Sequence, residues 1–454
     1  MHWFLLPVIA CGILSGVDVI RWLRGRLDIF DPRAVVACLA FYGFFIAPLL
    51  HVIWDRFGMG YDLTLSGDWR PWLGAMAALN AVGLILYRLL HNWVFNRTET
   101  STVSWEIDGK RFYPIFGFAW CLSAGGVAYF FWQFNGFFGV VEAFDNDKTA
   151  FVGKGWLLVF GWPLAVLSFI ILVFAWTDRR GKKVRHHLTT ALLMLGAAGV
   201  VHFLAMGWYG SRAATIWALF WMAGIIQYRF RKFSRRWAGA GLVFMMAFMY
   251  FYGFYKERGR TGFEVLRSPA MWLDPEGYER DFKSLLLEDL ARADTDAYLL
   301  HNIVKYPDDY DYRWGLTYAG ALAILIPRNF WPDRPEFTVE AGTEAQLGKA
   351  TSLRSSRVYG LGGEALLNFG PGGVPLVFAI YGGLLGWYRR KLLYLYWKDA
   401  RIFLAPFFTL LFAVAFIGDS DNLVFGAVTE GALIFVCLLA ASRHRQITTS
   451  AERV

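Results

Sequence analysis

The sequence has few charged residues and few cysteines for its length. Of its 454 residues only 18% are charged and four are cysteine, whereas about 25% of the residues of a soluble domain are charged. The high hydrophobic content that accompanies this low charge excludes an intrinsically disordered chain. The four cysteines all fall within apolar runs, which excludes a secreted scaffold held by disulfides.

The sequence also lacks the short motifs of several common enzyme classes. It contains no Walker phosphate loop, no dinucleotide fingerprint, no HExxH zinc motif, no CxxC pair and no nucleophile elbow. No His, Cys, Asp or Glu cluster shows convincing metal-ligand spacing. We therefore expect neither a metal nor another cofactor.

Apolar residues dominate the chain. They make up 56% of it, with 21 Trp and 41 Phe, and the mean hydropathy is +0.38. A single soluble core cannot bury that much apolar surface, because long chains split into domains instead of enlarging one core. We predict an all-α polytopic membrane protein whose eleven spans, each near the roughly 20 residues of a bilayer crossing, lie at 3–20, 34–54, 71–90, 114–132, 156–177, 189–208, 213–228, 237–255, 371–388, 402–418 and 423–441.

The net charge of +9 is explained by the connections between these spans. Every second connection is rich in Lys and Arg, and cytoplasmic loops carry such an excess. This alternation predicts an amino terminus outside and a carboxyl terminus inside, and it removes any need for a nucleic-acid partner. The basic connections lie at 21–33, 88–111, 179–185, 229–236, 389–401 and in the tail from 443.

The predicted organisation has one large loop. Residues 1–254 hold spans 1 to 8, 255–370 form an extracytoplasmic loop domain, 371–442 hold spans 9 to 11, and 443–454 form a cytoplasmic tail. Within the loop, 281–304 has the apolar spacing of an amphipathic helix. The segment GLTYAGALAILIP is too short to cross a bilayer and predicts a packed or interfacial helix. We expect the functional site in this loop domain.

The first candidate cluster is WYGSRAAT at 208–215, where Ser211 is placed to cap a helix that opens with Arg212. A helix amino terminus with an adjacent guanidinium suits an anion, especially a phosphate. The alternative is that Arg212 extends its side chain to lipid headgroups.

The second cluster is IPRNFWPDRP at 326–335, a proline-stiffened segment that presents Arg328 and Arg334 with Phe330 and Trp331 between them. Aromatic faces beside guanidinium groups suit sugars that carry a phosphate. The alternative is an aromatic belt at the membrane interface in which Arg334 has a structural role.

The third cluster is SLRSSRVYGLGGEALLNFGPGG at 352–373. Arg354 and Arg357 would share one helix face, and Glu364 and Asn368 would share another. Glu364 is a candidate general base, with Tyr359 and Asn368 as candidate substrate-binding residues. The alternative for Glu364 is a structural role at a helix amino terminus.

Three further acids are weaker candidates. Asp419 and Asp421 lie in the short turn GDSDN, which we expect to be solvated because no other ligand stands at metal spacing. Glu430 lies inside the last span, where a carboxyl group is costly, so we expect it to face the helix bundle and to pair with another group.

The GSR at the start of a middle span, the PRNFWPDRP segment and the GGEALLNFG before a late span, with a large loop between spans 8 and 9, resemble the bacterial oligosaccharide repeat-unit polymerases of the Wzy type. The resemblance covers mainly residues 205–375 and the topology. It departs from the pattern of Arg, ten residues and Gly, because the Gly after Arg212 comes one position late, at Gly224.

The resemblance implies a GT-C-like fold in the bacterial cytoplasmic membrane and a polymerase of O-antigen or exopolysaccharide. Donor and acceptor would both be undecaprenyl-pyrophosphate-linked oligosaccharides, joined at the outer face, and a chain-length regulator would be a further partner. Glu364, Arg212 and Arg328 would be catalytic, with Arg334, Arg354, Arg357, Trp331, Tyr359 and Asn368 binding substrate. An O-antigen ligase, with His301 as the only loop histidine, and a lipid-linked oligosaccharide flippase or transporter remain alternatives.

Overall fold

The computed structural model describes most of the chain and shows it to be mostly helical. The residues described are 3–58, 65, 67–97, 103–146, 148–151, 159–180, 188–207, 211–259, 262, 265, 272, 281–326, 330–348, 358–395 and 399–446.

The main elements of the described residues are sixteen helices and two short strands. The first half of the chain contains α1 Leu5–Leu23, α2 Pro32–Trp54, α3 Arg70–Phe95, β1 Val103–Ile107, α4 Gly109–Gln133, α5 Phe137–Asn146, α6 Val159–Asp178, α7 Leu188–Gly207, α8 Arg212–Arg229 and α9 Arg235–Glu257. The second half contains α10 Ala293–Lys305, α11 Leu316–Ala323, α12 Thr338–Leu347, α13 Gly360–Phe369, α14 Gly373–Leu393, α15 Ala405–Ile417, α16 Ser420–Ala441 and β2 Ser442–Gln446. Shorter helical turns lie at Lys148–Phe151, Phe282–Ser284, Leu285–Asp289, Pro307–Asp309 and Ala400–Phe403.

Eight helices of the described residues are long and apolar enough to cross a membrane: α1, α2, α3, α4, α6, α7, α9 and α16. They correspond to predicted spans 1 to 6, 8 and 11. The other three predicted spans are also helices, but α15 has only 13 residues, α8 has an arginine at each end, and α14 is rich in glycine and ends in basic residues. The chain is therefore a helical membrane protein with at least eight helices suited to spanning.

The helices divide into two compact units. Unit 1 comprises Met1–Thr98, Lys283–Lys391 and Leu411–Phe425, and unit 2 comprises Glu99–Phe282, Leu392–Leu410 and Gly426–Val454. The unit boundaries fall within α14, α15 and α16. Unit 1 therefore contains most of the described part of the predicted loop domain, together with the first three spans.

Basic connections meet at one end of unit 1. Asp18 contacts Arg33 at 3.1 Å and Arg88 at 2.6 Å, and Asp31 contacts Arg389 at 2.7 Å. Three connections that the sequence places on one side of the membrane are thus joined by ion pairs. The described part of segment 283–369 packs towards the other end of α2 and α3. His301 packs against Trp72 near the start of α3, and Tyr42 in the middle of α2 donates a hydrogen bond to the carbonyl of Leu286.

Unit 2 contains a two-stranded antiparallel ribbon that the sequence patterns do not predict. Strand β1 pairs with β2 in the register Trp105 to His444, so residues 443–446 of the predicted tail are ordered by pairing. The fully buried Asp399 accepts a hydrogen bond from the backbone N–H of Trp105 and contacts Arg401 at 2.6 Å. The ribbon thus joins basic connections that the sequence places on the same side of the membrane.

The described part of the predicted helix 281–304 is interrupted. A π-helical turn covers Leu285–Asp289, and the regular helix α10 begins only at Ala293. At the break Arg292 donates hydrogen bonds to the backbone carbonyls of Glu288 and Ala291. The expectation of one continuous amphipathic helix was therefore wrong, because the helical hydrogen-bond pattern changes at the π-helical turn and starts again only at Ala293.

Candidate functional site

Helix α13 is the central buried element of unit 1. From Gly360 to Asn368 nearly every residue is buried, and α10, α11 and α12 all pack against the helix. Its glycines allow this close packing, since a Cβ atom at Gly363 would lie 2.7 Å from Asp296 Oδ1 and 2.8 Å from the Cβ of Tyr359. The short helix predicted in the third cluster is thus present from Gly360 to Phe369, and it is a core helix.

The carboxylate of Glu364 lies at the point where four helices meet. Thr317 of α11 and Thr338 of α12 each donate a hydroxyl hydrogen bond of 2.8 Å to Oε1. At the start of α16, Ser420 donates its hydroxyl to Oε1 at 2.5 Å and its backbone N–H to Oε2 at 2.8 Å. Four neutral donors therefore hold one carboxylate, which joins α11, α12 and α16 to α13.

These buried surroundings change the pKa of the Glu364 carboxyl group. The residue is only 3% exposed, and burial raises the pKa of its carboxyl group above the ordinary value, although the hydroxyl and N–H donors act in the opposite direction. Burial is the larger effect. Glu364 therefore holds a proton more readily than a solvated glutamate does.

Asn368 and Asp419 extend this buried polar network. Asn368 donates to Thr317 Oγ1 at 2.7 Å and to the backbone carbonyl of Glu364 at 2.9 Å, so the predicted shared face is confirmed. Asp419 Oδ1 accepts the backbone N–H groups of Tyr359 and Gly360, at 2.7 and 3.0 Å.

The expectation that the GDSDN turn is solvated was wrong. Asp419 is fully buried and Asp421 nearly so, because the side chain of Asp419 accepts the backbone N–H groups at the start of α13. Burial, reinforced by the nearby Glu364, raises the pKa of Asp419 well above its usual range.

Arg313 is the charged residue of this region that the sequence patterns missed. Its guanidinium contacts the carboxylates of Glu344 and, at 3.2 Å, Glu336, and it lies 5.3 Å from the ring centre of Tyr310. The backbone N–H of Arg313 donates to Leu367 of α13. One signal was available in the sequence, since Arg313 is the only cation in the acidic segment YPDDYDYR.

An exposed apolar face lies next to this ion pair. Helix α11 buries Thr317 on its inner side and exposes Leu316 and Leu322 on its outer side, at 53% and 65%. Two large aromatic residues that flank this helix in the chain are also exposed, Trp314 at 74% and Phe330 at 84%. The prediction of a short packed or interfacial helix is therefore confirmed as a short helix whose inner side is packed.

The remaining predicted residues of unit 1 differ in their surroundings. Trp331 is 41% exposed, whereas Tyr359 and Asn368 are buried. Arg334 donates to the backbone carbonyl of Ile326 at 3.0 Å and lies 4.3 Å from the ring centre of Phe337. Arg328, Arg354 and Arg357 lie outside the described residues.

Arg212 belongs to unit 2. Ser211 caps α8 as predicted, because its hydroxyl accepts the backbone N–H of Ala213 at 3.2 Å. The half-buried Arg212 donates to the backbone carbonyl of Met249 at 3.3 Å. This contact holds the guanidinium against α9 at the amino terminus of α8.

Glu430 is buried in the π-helical part of α16, which covers Ala427–Ala432. It faces the helix bundle as expected. The expected partner is absent, because no hydrogen bond or charged side chain of the described residues acts on the carboxyl group.

Comparison of the chain with protein-family models, curated proteins and solved structures finds no match.

Proposed function

We propose that the chain is a membrane glycosyltransferase that polymerises undecaprenyl-pyrophosphate-linked oligosaccharide repeat units at the outer face of the bacterial cytoplasmic membrane, in a fold of the GT-C kind. The residues of the reaction centre are those beside α13. The sequence resemblance suggests the substrate class, and the arrangement around Arg313 supports it.

The observation that carries the proposal is the exposed apolar face of α11 directly beside Arg313. Trp314, at 74% exposure, adjoins Arg313 in the chain. An isoprenoid chain needs an apolar surface, and its pyrophosphate needs a cation with several donors. A lipid-linked anionic donor requires both features together, whereas a soluble sugar donor requires no apolar face.

The reaction transfers the growing glycan from its pyrophosphate to a hydroxyl of the acceptor. The C–O bond to the pyrophosphate breaks, the acceptor oxygen bonds to the anomeric carbon, and the hydroxyl proton passes to a base. Arginine stabilises the charge that develops on the leaving phosphate. Arg313 takes this role in the proposal, with Arg328 as a further phosphate-binding group.

Two glutamates compete for the role of base. Glu344 is a side chain with 20% exposure that is already held by Arg313, whereas Glu364 is 3% exposed and receives four hydrogen bonds. A base must reach the proton that it removes. The geometry favours Glu344 as the base and Glu364 as the carboxylate that positions α11 and α12 around it.

The ligase alternative receives less support from this region. A ligase of this kind would need an accessible histidine, but His301 is 4% exposed. Its ring packs edge-on against Trp72, with centroids 5.0 Å apart, and its Nδ1 lies 2.8 Å from Asn302 Oδ1.

The test uses purified full-length protein in liposomes with a synthetic undecaprenyl-pyrophosphate-linked repeat unit. The wild type should give a ladder of lipid-linked oligomers on a gel. Arg313→Lys keeps the charge but loses the planar fork, so we expect the ladder to weaken about a hundredfold. Arg390→Lys, at the opposite end of unit 1, is the matched control.

Glu344→Gln and Glu364→Gln separate the two candidates for the base. We expect Glu344→Gln to abolish the ladder with an unchanged unfolding temperature, and Glu364→Gln to lower the unfolding temperature. Absence of a ladder from the wild type with every lipid-linked repeat unit tried would contradict the proposed reaction. An undiminished ladder from Arg313→Lys would instead remove Arg313 from the reaction centre.

A further inference from the structure

The geometry points to Glu430 as a proton-binding site inside the membrane, a carboxylic acid that carries its proton in the resting protein and exchanges it. This site lies in unit 2 and does not depend on the proposed polymerase activity. It rests on the burial of the side chain, on its lack of a partner among the described residues and on the backbone around it.

The backbone around Glu430 is not a regular helix. Residues Ala427–Ala432 form a π-helical turn within α16, and α16 is one of the helices suited to crossing a membrane. Glu430 is close to the middle of that helix. Such turns leave the hydrogen-bond pattern locally irregular and are frequent at functional positions.

The packing around this turn is apolar and aromatic. A Cβ atom at Gly431 would lie 2.2 Å from the ring of Phe407, and one at Gly426, about one turn before Glu430, would lie 2.9 Å from the ring of Trp217. Phe407 in turn stacks on the fully buried Trp221 with ring centres 4.2 Å apart. The glycines thus bring aromatic rings against α16 where it carries its only mid-span acid.

Charged groups on the neighbouring helices lie at the helix ends. Helix α15 has no ionisable residue, and α16 itself has only Asp421 and Cys437 besides Glu430. The other charged residues of the helices that pack around this turn are Lys110 and Arg111 at the start of α4, and Arg212 and Arg229 at the two ends of α8. None of these groups acts on the Glu430 carboxyl group.

A carboxyl group in this setting is neutral, because an isolated carboxylate in an apolar medium takes up a proton instead of staying charged. A metal cation is a poor alternative occupant. Hard cations need six or more oxygen ligands, and the described residues place no group of three or more His, Cys, Asp or Glu side chains at any site. The proton is therefore the ligand that this single acid fits.

The test uses the apolar reagent dicyclohexylcarbodiimide on full-length protein in liposomes. It reacts with protonated carboxyl groups in apolar surroundings: the acid proton moves to a carbodiimide nitrogen and the carboxyl oxygen bonds to the central carbon, with no leaving group. Mass spectrometry of the peptide that contains Glu430 measures the adduct. We expect an adduct at neutral pH that falls at least tenfold in strongly alkaline buffer and is unchanged by sodium.

A second measurement needs no reagent. Infrared spectra of the wild type should contain a protonated-carboxyl band that Glu430→Gln lacks and that Asp421→Asn retains. Absence of the adduct, absence of this band difference, or protection of Glu430 by sodium would each overturn the assignment. Sodium protection would show that the acid is a cation ligand.

Discussion

Glu364 and Glu430 are two buried glutamates in opposite surroundings. Glu364 lies among hydroxyl and N–H donors and receives four hydrogen bonds. Glu430 lies in a π-helical turn and receives none from the described residues. The same side chain is thus accommodated in unit 1 by donors from three other helices and in unit 2 by aromatic packing.

Burial alone therefore does not define the role of a carboxyl group. A buried carboxylate with several donors holds elements together, and its removal leaves those donors unpaired. A buried acid without donors makes no polar contact that stabilises the fold, so its position points to a role in binding a proton. Substitution by leucine should therefore be costly at Glu364 and nearly neutral at Glu430.

The largest expected effect is that of Glu364→Leu. The substitution leaves the hydroxyls of Thr317, Thr338 and Ser420 and one N–H without their acceptor, and each unpaired buried group costs about 1–3 kcal/mol. We expect the free energy of unfolding to fall by about 4 kcal/mol or more. Urea unfolding in detergent measures it, with Glu344→Leu as the partly exposed control. A loss below about 1 kcal/mol would show that Glu364 does not hold the helices together.

Part of this site was predictable from the sequence. The spacing of Glu364 and Asn368 placed both on one helix face, and the apolar run of α11 indicated its packed character. These features are local, and periodicity detects them.

The donors to Glu364 were not predictable, because they come from distant positions. Thr338, Thr317 and Ser420 are 26, 47 and 56 residues away in the chain. Threonine and serine carry no pattern that marks a tertiary hydrogen bond. Ser420 lies in the very turn that was expected to be solvated, since a short polar turn looks the same whether it faces water or a buried helix.

The surroundings of Glu430 and the pairing of the two strands were not predictable for the same reason. Residue type predicted a partner for a mid-span acid, but only the packing of Phe407 and Trp217 around α16 shows that the described residues supply none. Strand β2 pairs with a segment more than three hundred residues earlier. The sequence VSWEI of β1 alternates apolar and polar residues, but SRHRQ of β2 does not, so no pattern in β2 indicates the pairing. The eight long apolar helices, by contrast, follow directly from hydropathy.

The second prediction concerns pH. Burial raises the pKa of Glu364 above 4.5, and those of Asp419 and Asp296 well above 3.8. The folded protein then keeps protons that the unfolded chain loses, so the stability from these groups is complete below about pH 4 and is lost as pH rises through the folded pKa values.

We expect the free energy of unfolding to fall with rising pH by up to about 1.4 kcal/mol per pH unit for each such proton. Unfolding at a series of pH values measures this slope. Asp419→Asn should reduce the slope. A slope that is unchanged in Asp419→Asn would show that Asp419 titrates normally.

The third prediction concerns a substitution that removes a single hydrogen-bond donor to Glu364. Thr317→Val keeps the shape of the side chain and removes one of the four hydrogen bonds, while Asn368 loses an acceptor. We expect a loss of about 1–2 kcal/mol. Ser123→Ala is the matched control, because this buried hydroxyl has no hydrogen-bond partner among the described residues and its removal should leave the unfolding midpoint unchanged.

The smallest expected effect is that of Glu430→Leu. Leucine has a similar volume, the lost carboxyl group makes no hydrogen bond to the described residues, and a protonated acid gains nothing from its apolar neighbours that leucine lacks. We expect the free energy of unfolding to change by less than about 0.5 kcal/mol, or to rise slightly. Glu430→Lys, which puts a charge at the same depth, should cost about 3 kcal/mol. Urea unfolding of both variants beside Glu364→Leu completes the comparison. A loss of several kcal/mol in Glu430→Leu would mean that the carboxyl group has a stabilising partner, and the two glutamates would then have the same structural role.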